Sequence, residues 1–230
     1  MRMLSAIAFL VLLLQAGAPD LESADRSGQA EGFAPIETKI DHFDVEDAIM
    51  RDGISALSLK NIPGLHLGFE EIIRDKIQDD PRSVNIHFSL HLQNKTVREI
   101  LSTLCEADRR YIWSQDANTM NVYPAAAEKD ASYLLSLYIE RISVVEIPDP
   151  DQGLTPLSKI FPNHQVGYMG GGEESYAEPW TAAFDHLTVR QFINRLAYHM
   201  DPQTTWIWQG GKEERMFTFF KGGFHVFQHH

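Results

Sequence analysis

One segment of the sequence occurs twice in similar form. TVREILSTLC begins at Thr96, and TVRQFINRLA begins at Thr188. In both copies the apolar residues recur with the spacing of one face of an α-helix, and two short apolar segments separated by a polar turn follow. The dipeptide Ile-Trp recurs in the first of these segments. The repetition predicts one small strand-helix-strand module that the chain carries twice in tandem.

The residues around the repeat indicate how each module is built. Residues 84–92 (VNIHFSLHL) alternate between apolar and polar, which is typical of a strand with one buried face. Residues 44–58 place apolar residues along a helical stripe, and residues 65–70 alternate again. Each module is therefore predicted to be a short mixed sheet with helices packed on one face, which gives the fold class α+β.

The N-terminus has the pattern of an export signal. Arg2 precedes an uncharged apolar run at residues 4–14, and Ala16 and Ala18 occupy the small-residue positions of a cleavage site. The predicted organisation is a signal peptide (1–18), a flexible leader (19–35), a first module (36–124), a second and divergent copy (131–221), and a C-terminal tail (222–230). The expected location is periplasmic or secreted.

Charge and cysteine content exclude several classes. The formal net charge is −12, from 32 acidic and 20 basic residues, and Lys and Arg do not cluster. Nucleic acid is therefore not an expected partner, because phosphate binding requires clustered cations. No later segment is apolar enough to predict a stable membrane span in the mature chain. The single cysteine, Cys105, excludes an intramolecular disulfide framework.

Residues 84–124 carry a resemblance to a known family. An alternating strand, a helix beginning Thr-Val, an aromatic strand and the turn Asp116-Ala117-Asn118-Thr119 follow one another. In order and composition this stretch resembles the short N-terminal (STN) domain of secretins and TonB-dependent transporters, with Ala117 where that family has glycine. The first half as a whole resembles that domain in its predicted order of strand, helix, strand, strand, helix and hairpin. The resemblance extends weakly to the second half. It implies a periplasmic module that binds other proteins and has no catalytic residues.

The polar residues considered for catalysis or metal binding show no convergent pattern. His87 and His91 share one face of the predicted strand, but they lie ~13 Å apart along it, too far for one zinc ion. Three adjacent carboxylate pairs, at residues 70–71, 79–80 and 213–214, are expected to be solvated, and Cys105 is expected to be buried on its helix. The sequence predicts no catalytic residue, no metal site and no cofactor.

Aromatic residues offer a contact surface instead. Four aromatic residues alternate with isoleucines in the two hairpins and are expected in the core, with a sugar-stacking platform as the alternative: Tyr111, Trp113, Trp206 and Trp208. In the last hairpin Phe217 and Phe219 are expected to point inward. Met216 and Phe220 on its other face, together with Phe224, are expected to form an outward apolar row, unless the tail folds back over them.

The predicted partner-contact residues are Met216, Phe220, Phe224, His87 and His91. The predicted function is a non-enzymatic interaction module of the bacterial cell envelope. It would contact an envelope protein or a second copy of the chain through an edge strand. An envelope carbohydrate- or peptidoglycan-binding protein or hydrolase is the alternative.

Overall fold

The computed structural model describes residues 34–75, 79, 84–162, 166–169, 178–200, 203–210 and 215–224. The predicted signal peptide, residues 19–33 of the predicted leader and residues 225–230 of the predicted tail lie outside the described residues. Within the described residues the chain forms ten strands and four α-helices.

The elements occur in the same order twice. The first half consists of β1 (Lys39–Ala48), α1 (Met50–Ser58), β2 (His66–Glu70), β3 (Phe88–Thr96), α2 (Val97–Ala107), β4 (Tyr111–Asp116) and β5 (Thr119–Pro124). The second half consists of β6 (Tyr138–Ile147), α3 (Pro150–Ile160), β7 (Gly167–Tyr168), β8 (Trp180–Thr188), α4 (Val189–Met200), β9 (Thr204–Gly210) and β10 (Arg215–Lys221). Short 3-10 helices precede β1 and β6, at Pro35–Glu37 and Leu134–Ser136.

The repeated Thr-Val-Arg segments begin the helices α2 and α4. The Thr96 hydroxyl accepts from the Glu99 amide at 3.2 Å, and the Glu99 carboxylate accepts from the Thr96 amide at 2.9 Å. Thr188 and Gln191 make the same two bonds at 3.3 and 2.9 Å. These reciprocal capping bonds satisfy amides that the first helical turn cannot pair, so the T-x-x-E/Q spacing explains where both helices begin.

Two antiparallel ribbons, β1–β3 and β6–β8, have matching registers. Lys39 pairs with Thr96 and Tyr138 pairs with Thr188. Both ribbons shift register near the end of their first strand, and the bulges place Asp47 and Glu146 at φ 44° and 48°. The backbone irregularity therefore recurs together with the regular structure.

The first ribbon differs from the sequence prediction at both strands. Residues 44–48 belong to β1, whereas the apolar spacing predicted a helix from residue 44. The bulge explains the difference, because it separates the buried Val45 and Ala48 by three positions and so imitates helical spacing. In addition, β3 begins only at Phe88, and Val84 and Ile86 are exposed although the alternation predicted them to be buried.

The remaining strands of both halves form one six-stranded sheet in the order β4-β5-β2-β9-β10-β7. Strand β2 pairs in parallel with β5 of its own half and with β9 of the other. The α+β class is confirmed, and the two short sheets expected from the sequence are joined into one at β2 and β9. That each half is a module in its own right stays a prediction.

Two apolar cores lie on opposite faces of this sheet. Ile207 belongs to the core that contains α1 and α2, whereas its neighbours Trp206 and Trp208 belong to the core that contains α3 and α4. Successive residues of a strand point to opposite faces, so the helices of the two halves cover different faces. Among the described helices, none has the length and apolar character needed to cross a bilayer.

Candidate functional site

The junction between the halves is a parallel strand pair. Leu67, Gly68, Phe69 and Glu70 of β2 pair in register with residues 205–208 of β9. The pairing continues past the end of β2, because the Glu71 amide donates to the Trp208 carbonyl at 2.9 Å and the Arg74 amide donates to the Gly210 carbonyl at 3.0 Å. The edge of β9 therefore accepts a strand over its whole length.

Glycine is required at the centre of this junction. A Cβ atom at Gly68 would overlap the Trp206 ring and the side-chain oxygen of Asn121. The indole of Trp206 therefore lies directly over the backbone of the neighbouring strand. Its Nε1 donates to Asn194 of α4 at 2.9 Å, and Asn194 in turn donates to Asp116 at 2.8 Å.

A buried ion pair connects α4 to β2. Nη2 of Arg190 lies 3.1 Å from Oε2 of Glu70, and Nε of Arg190 donates to Oε1. The Glu70 side chain is 0% exposed and that of Arg190 is 14% exposed. The guanidinium also lies 4.0 Å from the ring centroid of Tyr123. Burial raises the pKa of Glu70 above its ordinary value, and the bonds from Arg190 oppose that rise.

Glu71, directly after β2, forms ion pairs on the opposite face of the six-stranded sheet. Oε1 of Glu71 lies 3.3 Å from Nη1 of Arg51, and Oε2 lies 3.6 Å from Nη2 of Arg74. Burial raises the pKa of Glu71, and the charges of Arg51 and Arg74 oppose the rise. The prediction that Glu70 and Glu71 are solvated is wrong. The strand does point them apart, but each face is covered by a different half of the chain.

The polar side chains of Glu70, Glu71 and Asn121 are buried at the junction. Both junction carboxylates are held in ion pairs, and Asn121 is buried with no hydrogen-bond partner for its amide group among the described residues. Within the described ranges, no group of three or more His, Cys, Asp or Glu residues has the geometry to hold a metal ion. The arrangement can fix two halves to each other and position a sheet.

The predicted contact residues of the last hairpin are not all on the surface. Met216 and Phe220 of β10 are half-buried, whereas Phe224 is 3% exposed and stacks on Phe220 with ring centroids 5.2 Å apart. Ser55 donates to the Phe224 carbonyl at 2.6 Å, and the Phe224 amide donates to Ser58 at 3.1 Å. The outward placement of Phe224 is therefore wrong, because the start of the tail folds back onto α1.

The two predicted histidines lie elsewhere, His91 on β3 and His87 directly before it. Both are exposed. Nδ1 of His87 lies 2.9 Å from Asp47, while His91 bridges Asp44 at 3.2 Å and Glu46 at 2.8 Å. Because Met216, Phe220 and Phe224 belong to the six-stranded sheet and the segment after it, the structure does not unite the five predicted residues in one site.

Strand β4 is the outermost strand next to β5, and sequence reasoning placed no partner-contact residue on it. Arg98 of α2 lies over the ring of Trp113 on β4, with Cζ 5.8 Å from the centroid, and the Trp113 indole donates to Ser102 at 3.2 Å. Nε and Nη2 of Arg98 donate to Oε1 of Glu37 at 2.8 and 2.7 Å. The repeat itself carried the missed signal, because it aligns Arg98 with Arg190.

Cys105, which was expected to be buried on its helix, is half-buried and packs against the first core. Burial raises the pKa of its thiol to about 12. A thiol with so high a pKa is a poor nucleophile at neutral pH, since the thiolate is the reactive form.

The chain matches no protein-family model, no curated protein and no solved structure. The resemblance to the short N-terminal domain of secretins and TonB-dependent transporters therefore stays a prediction. The function proposed for the chain therefore rests on the geometry of the junction and of the sheet edges.

Proposed function

We propose that this protein is an exported, non-enzymatic protein-interaction module of the bacterial cell envelope, similar in role to the short N-terminal domains of secretins and TonB-dependent transporters. The order of elements from β1 to β5 is strand, helix, strand, strand, helix and hairpin, which is the order that the resemblance requires. The order recurs from β6 to β10. This agreement supports the proposal.

The observation that carries the proposal is an open sheet edge. Among the described strands, β4 pairs with β5 alone, whereas its counterpart β9 has β2 bound along the corresponding side. Proteins that bind extended partner segments do so at such edges, where backbone N–H and C=O groups complete their hydrogen bonds with the partner. The fold thus contains both a filled and an unfilled version of one strand-binding edge.

The buried polar groups favour the same function. Glu70 and Glu71 are paired with arginines at the junction, where they hold elements together. Of the aromatic residues considered as a sugar platform, Tyr111, Trp206 and Trp208 are buried. Trp113 is half-buried and packs against the first core. A role in holding and presenting a sheet accounts for all of them.

The test is site-specific photo-crosslinking in cells that export the chain. A photoreactive residue at Gln115, exposed on β4, is expected to capture one discrete envelope protein, and the same residue at exposed Lys129 serves as the control. Retention of the chain in the cytoplasm would contradict the proposal. So would turnover of a glycan or ester substrate by the purified chain that a single polar substitution abolishes.

A further inference from the structure

We infer that the outer edge of β4 binds an extended segment of a partner protein that pairs in parallel and places a carboxylate beside Trp113, within reach of Arg98. The inference rests on the proposed interaction function and states which surface and which partner chemistry it uses. The template is the junction inside the chain, where β2 binds to β9.

The two hairpins place β4 and β9 in equivalent positions. Trp113 of β4 pairs with Val122, and Trp208 of β9 pairs with Phe217, each on the second strand of its hairpin. Trp208 and Gly210 offer their carbonyls to the Glu71 and Arg74 amides at the junction. The equivalent positions of β4 are Trp113 and Gln115.

The backbone of β4 is oriented to accept the same bonds. Asp116 and Thr119 flank the two-residue turn, and in an antiparallel pair the hydrogen-bonded and non-hydrogen-bonded residues alternate from such a turn. Trp113 and Gln115 therefore direct their N–H and C=O groups away from β5. No described strand lies on that side of β4. Gln115 is exposed and Trp113 is half-buried, whereas Trp208, covered by β2, is buried.

Charge identifies the side chain that fits beside Trp113. At the junction Glu70 is paired with Trp208, and Arg190 from the first turn of α4 binds its carboxylate. Arg98 has the same position in α2 and lies over Trp113. Its present partner Glu37 is 42% exposed and Arg98 is 48% exposed. Solvent weakens such a pair, so an incoming carboxylate can share or replace Glu37 at the guanidinium.

One requirement of the junction does not apply at β4. Trp206 covers the strand beside it and demands glycine there, but its counterpart Tyr111 turns inward, with its ring 5.6 Å from that of Phe69. The docked segment therefore needs no glycine opposite Tyr111. Its distinguishing feature is the acidic residue.

A second copy of this chain matches the site less well than an acidic partner. The strand of the second half that corresponds to β2 is β7, in which Gly167 and Tyr168 stand where β2 has Gly68 and Phe69. Met169 then occupies the position of Glu70. A thioether offers Arg98 no charge, which is why the inferred occupant is an acidic segment of another protein.

The experiment uses the strand that the chain itself binds. A fluorescent synthetic peptide with the sequence of residues 65–74, LHLGFEEIIR, is titrated with the purified chain at low ionic strength and followed by anisotropy. The matched control peptide has Gln at the position of Glu70. The Glu peptide is expected to bind about tenfold more tightly, because a charge-assisted hydrogen bond is lost in the control. Arg98→Gln is expected to remove that difference, and Glu37→Gln is expected to tighten binding of the Glu peptide.

The backbone hydrogen bonds between β4 and the peptide are tested by changing first the protein and then the peptide. Gln115→Pro removes the outward N–H of β4 and is expected to abolish binding, since proline is tolerated at edge positions that face solvent. If that variant does not fold, peptides N-methylated at one residue replace it. Methylation at the position of Glu71, whose amide faces β9 at the junction, should abolish binding, whereas methylation at the position of Glu70, whose amide faces away, should not.

The outcomes separate this inference from the proposed function. Peptide affinity that is unchanged by Arg98→Gln and by the position of the N-methyl group would overturn the inference. So would a partner captured in cells at residues other than Gln115, which would leave the interaction function standing. Self-association of the chain that Gln115→Pro abolishes, without peptide binding, would assign the edge to a second copy and also overturn the inference.

Discussion

The first and second halves place the same arginine in opposite surroundings. Arg98 and Arg190 both follow Thr-Val at the start of a helix, and each lies against an aromatic ring. Arg98 pairs with exposed Glu37 of its own half, whereas Arg190 pairs with Glu70, buried on the strand of the other half. The difference shows that a repeated motif acquires its role from what covers it. The uncovered copy is a surface cation and the covered copy holds the two halves together.

The same contrast extends to the strands that the arginines face. Strand β2 lies between β5 and β9 in the six-stranded sheet, while β7 is the last strand of that sheet. Gly68 of β2 lies beneath a tryptophan, and Gly167 of β7 lies beside a flexible methionine. Equivalent positions therefore differ in how much change they tolerate, and three sets of substitutions can test this.

The largest effect is expected for the buried arginine. Arg190→Met leaves the Glu70 carboxylate buried without its cation and should lower the free energy of unfolding by about 3–5 kcal/mol. Arg98→Met, the matched exposed variant, should cost about 0–1 kcal/mol. Urea unfolding of both variants at pH 7 makes the comparison. The Arg190→Met loss should shrink as the pH falls, because burial raises the pKa of Glu70 and a protonated carboxyl no longer buries a charge. Equal losses for the two variants would contradict the assignment of Arg190 to the junction.

A smaller effect is expected for the glycines. Gly68→Ala forces a methyl group against the Trp206 ring and the Asn121 side chain, and should cost about 1–3 kcal/mol. Gly167→Ala meets the Met216 sulfur, which can move aside, and should cost less than about 1 kcal/mol. Thermal unfolding monitored by circular dichroism and tryptophan fluorescence measures both. If Gly167→Ala proves the more damaging variant, Gly68 is not the tighter of the two positions.

The smallest effect concerns the helix caps. Glu99 and Gln191 occupy the same capping position, and bonds from Lys95 and from the Thr96 amide lower the pKa of Glu99 to about 2. A folded-state pKa below the unfolded value of about 4.3 stabilises the fold above that pH, and the stabilisation is lost as the pH falls toward the folded pKa. Glu99→Gln should therefore flatten the acid side of the Tm–pH curve, and Gln191→Glu should steepen it. Curves that remain parallel to wild type would show that the Glu99 cap does not titrate with folding.

Several features of the fold could be predicted from the sequence because their causes are local. The capped helices α2 and α4 and the hairpins β4–β5 and β9–β10 lie where the apolar spacing and turn residues predicted them. Residues 44–48 of β1 were mistaken for the start of a helix, since a bulge changes the strand period from two to three, and a short window cannot distinguish that from helical spacing. Val84 and Ile86 show the converse error, because an alternating pattern does not say where the neighbouring strand ends.

The candidate site could be predicted less well. Trp206, Trp208, Phe217 and Phe219 are buried as expected. Phe220 lies on the opposite face as expected, but that face carries the first core, so Phe220 is half-buried against the core and does not point outward. Phe224 was misplaced because its burial depends on Ser55 and Ser58, which are distant in the chain. Glu70 and Glu71 were misjudged because adjacent carboxylates are usually solvated, and nothing near them in the sequence identifies Arg190 or Arg51 as partners.

The sequence by itself determined the repeated order of strands and helices, the caps that start α2 and α4, and the apolar residues of their buried faces. All of these depend on residues within a few positions of each other. Only the tertiary structure decided that β2 lies beside β9, that Glu70 and Glu71 are buried on opposite faces, and that no described strand pairs with the outer edge of β4. Parallel pairing of strands from different halves joins residues more than a hundred positions apart, and backbone hydrogen bonds carry no side-chain signature that could have revealed it.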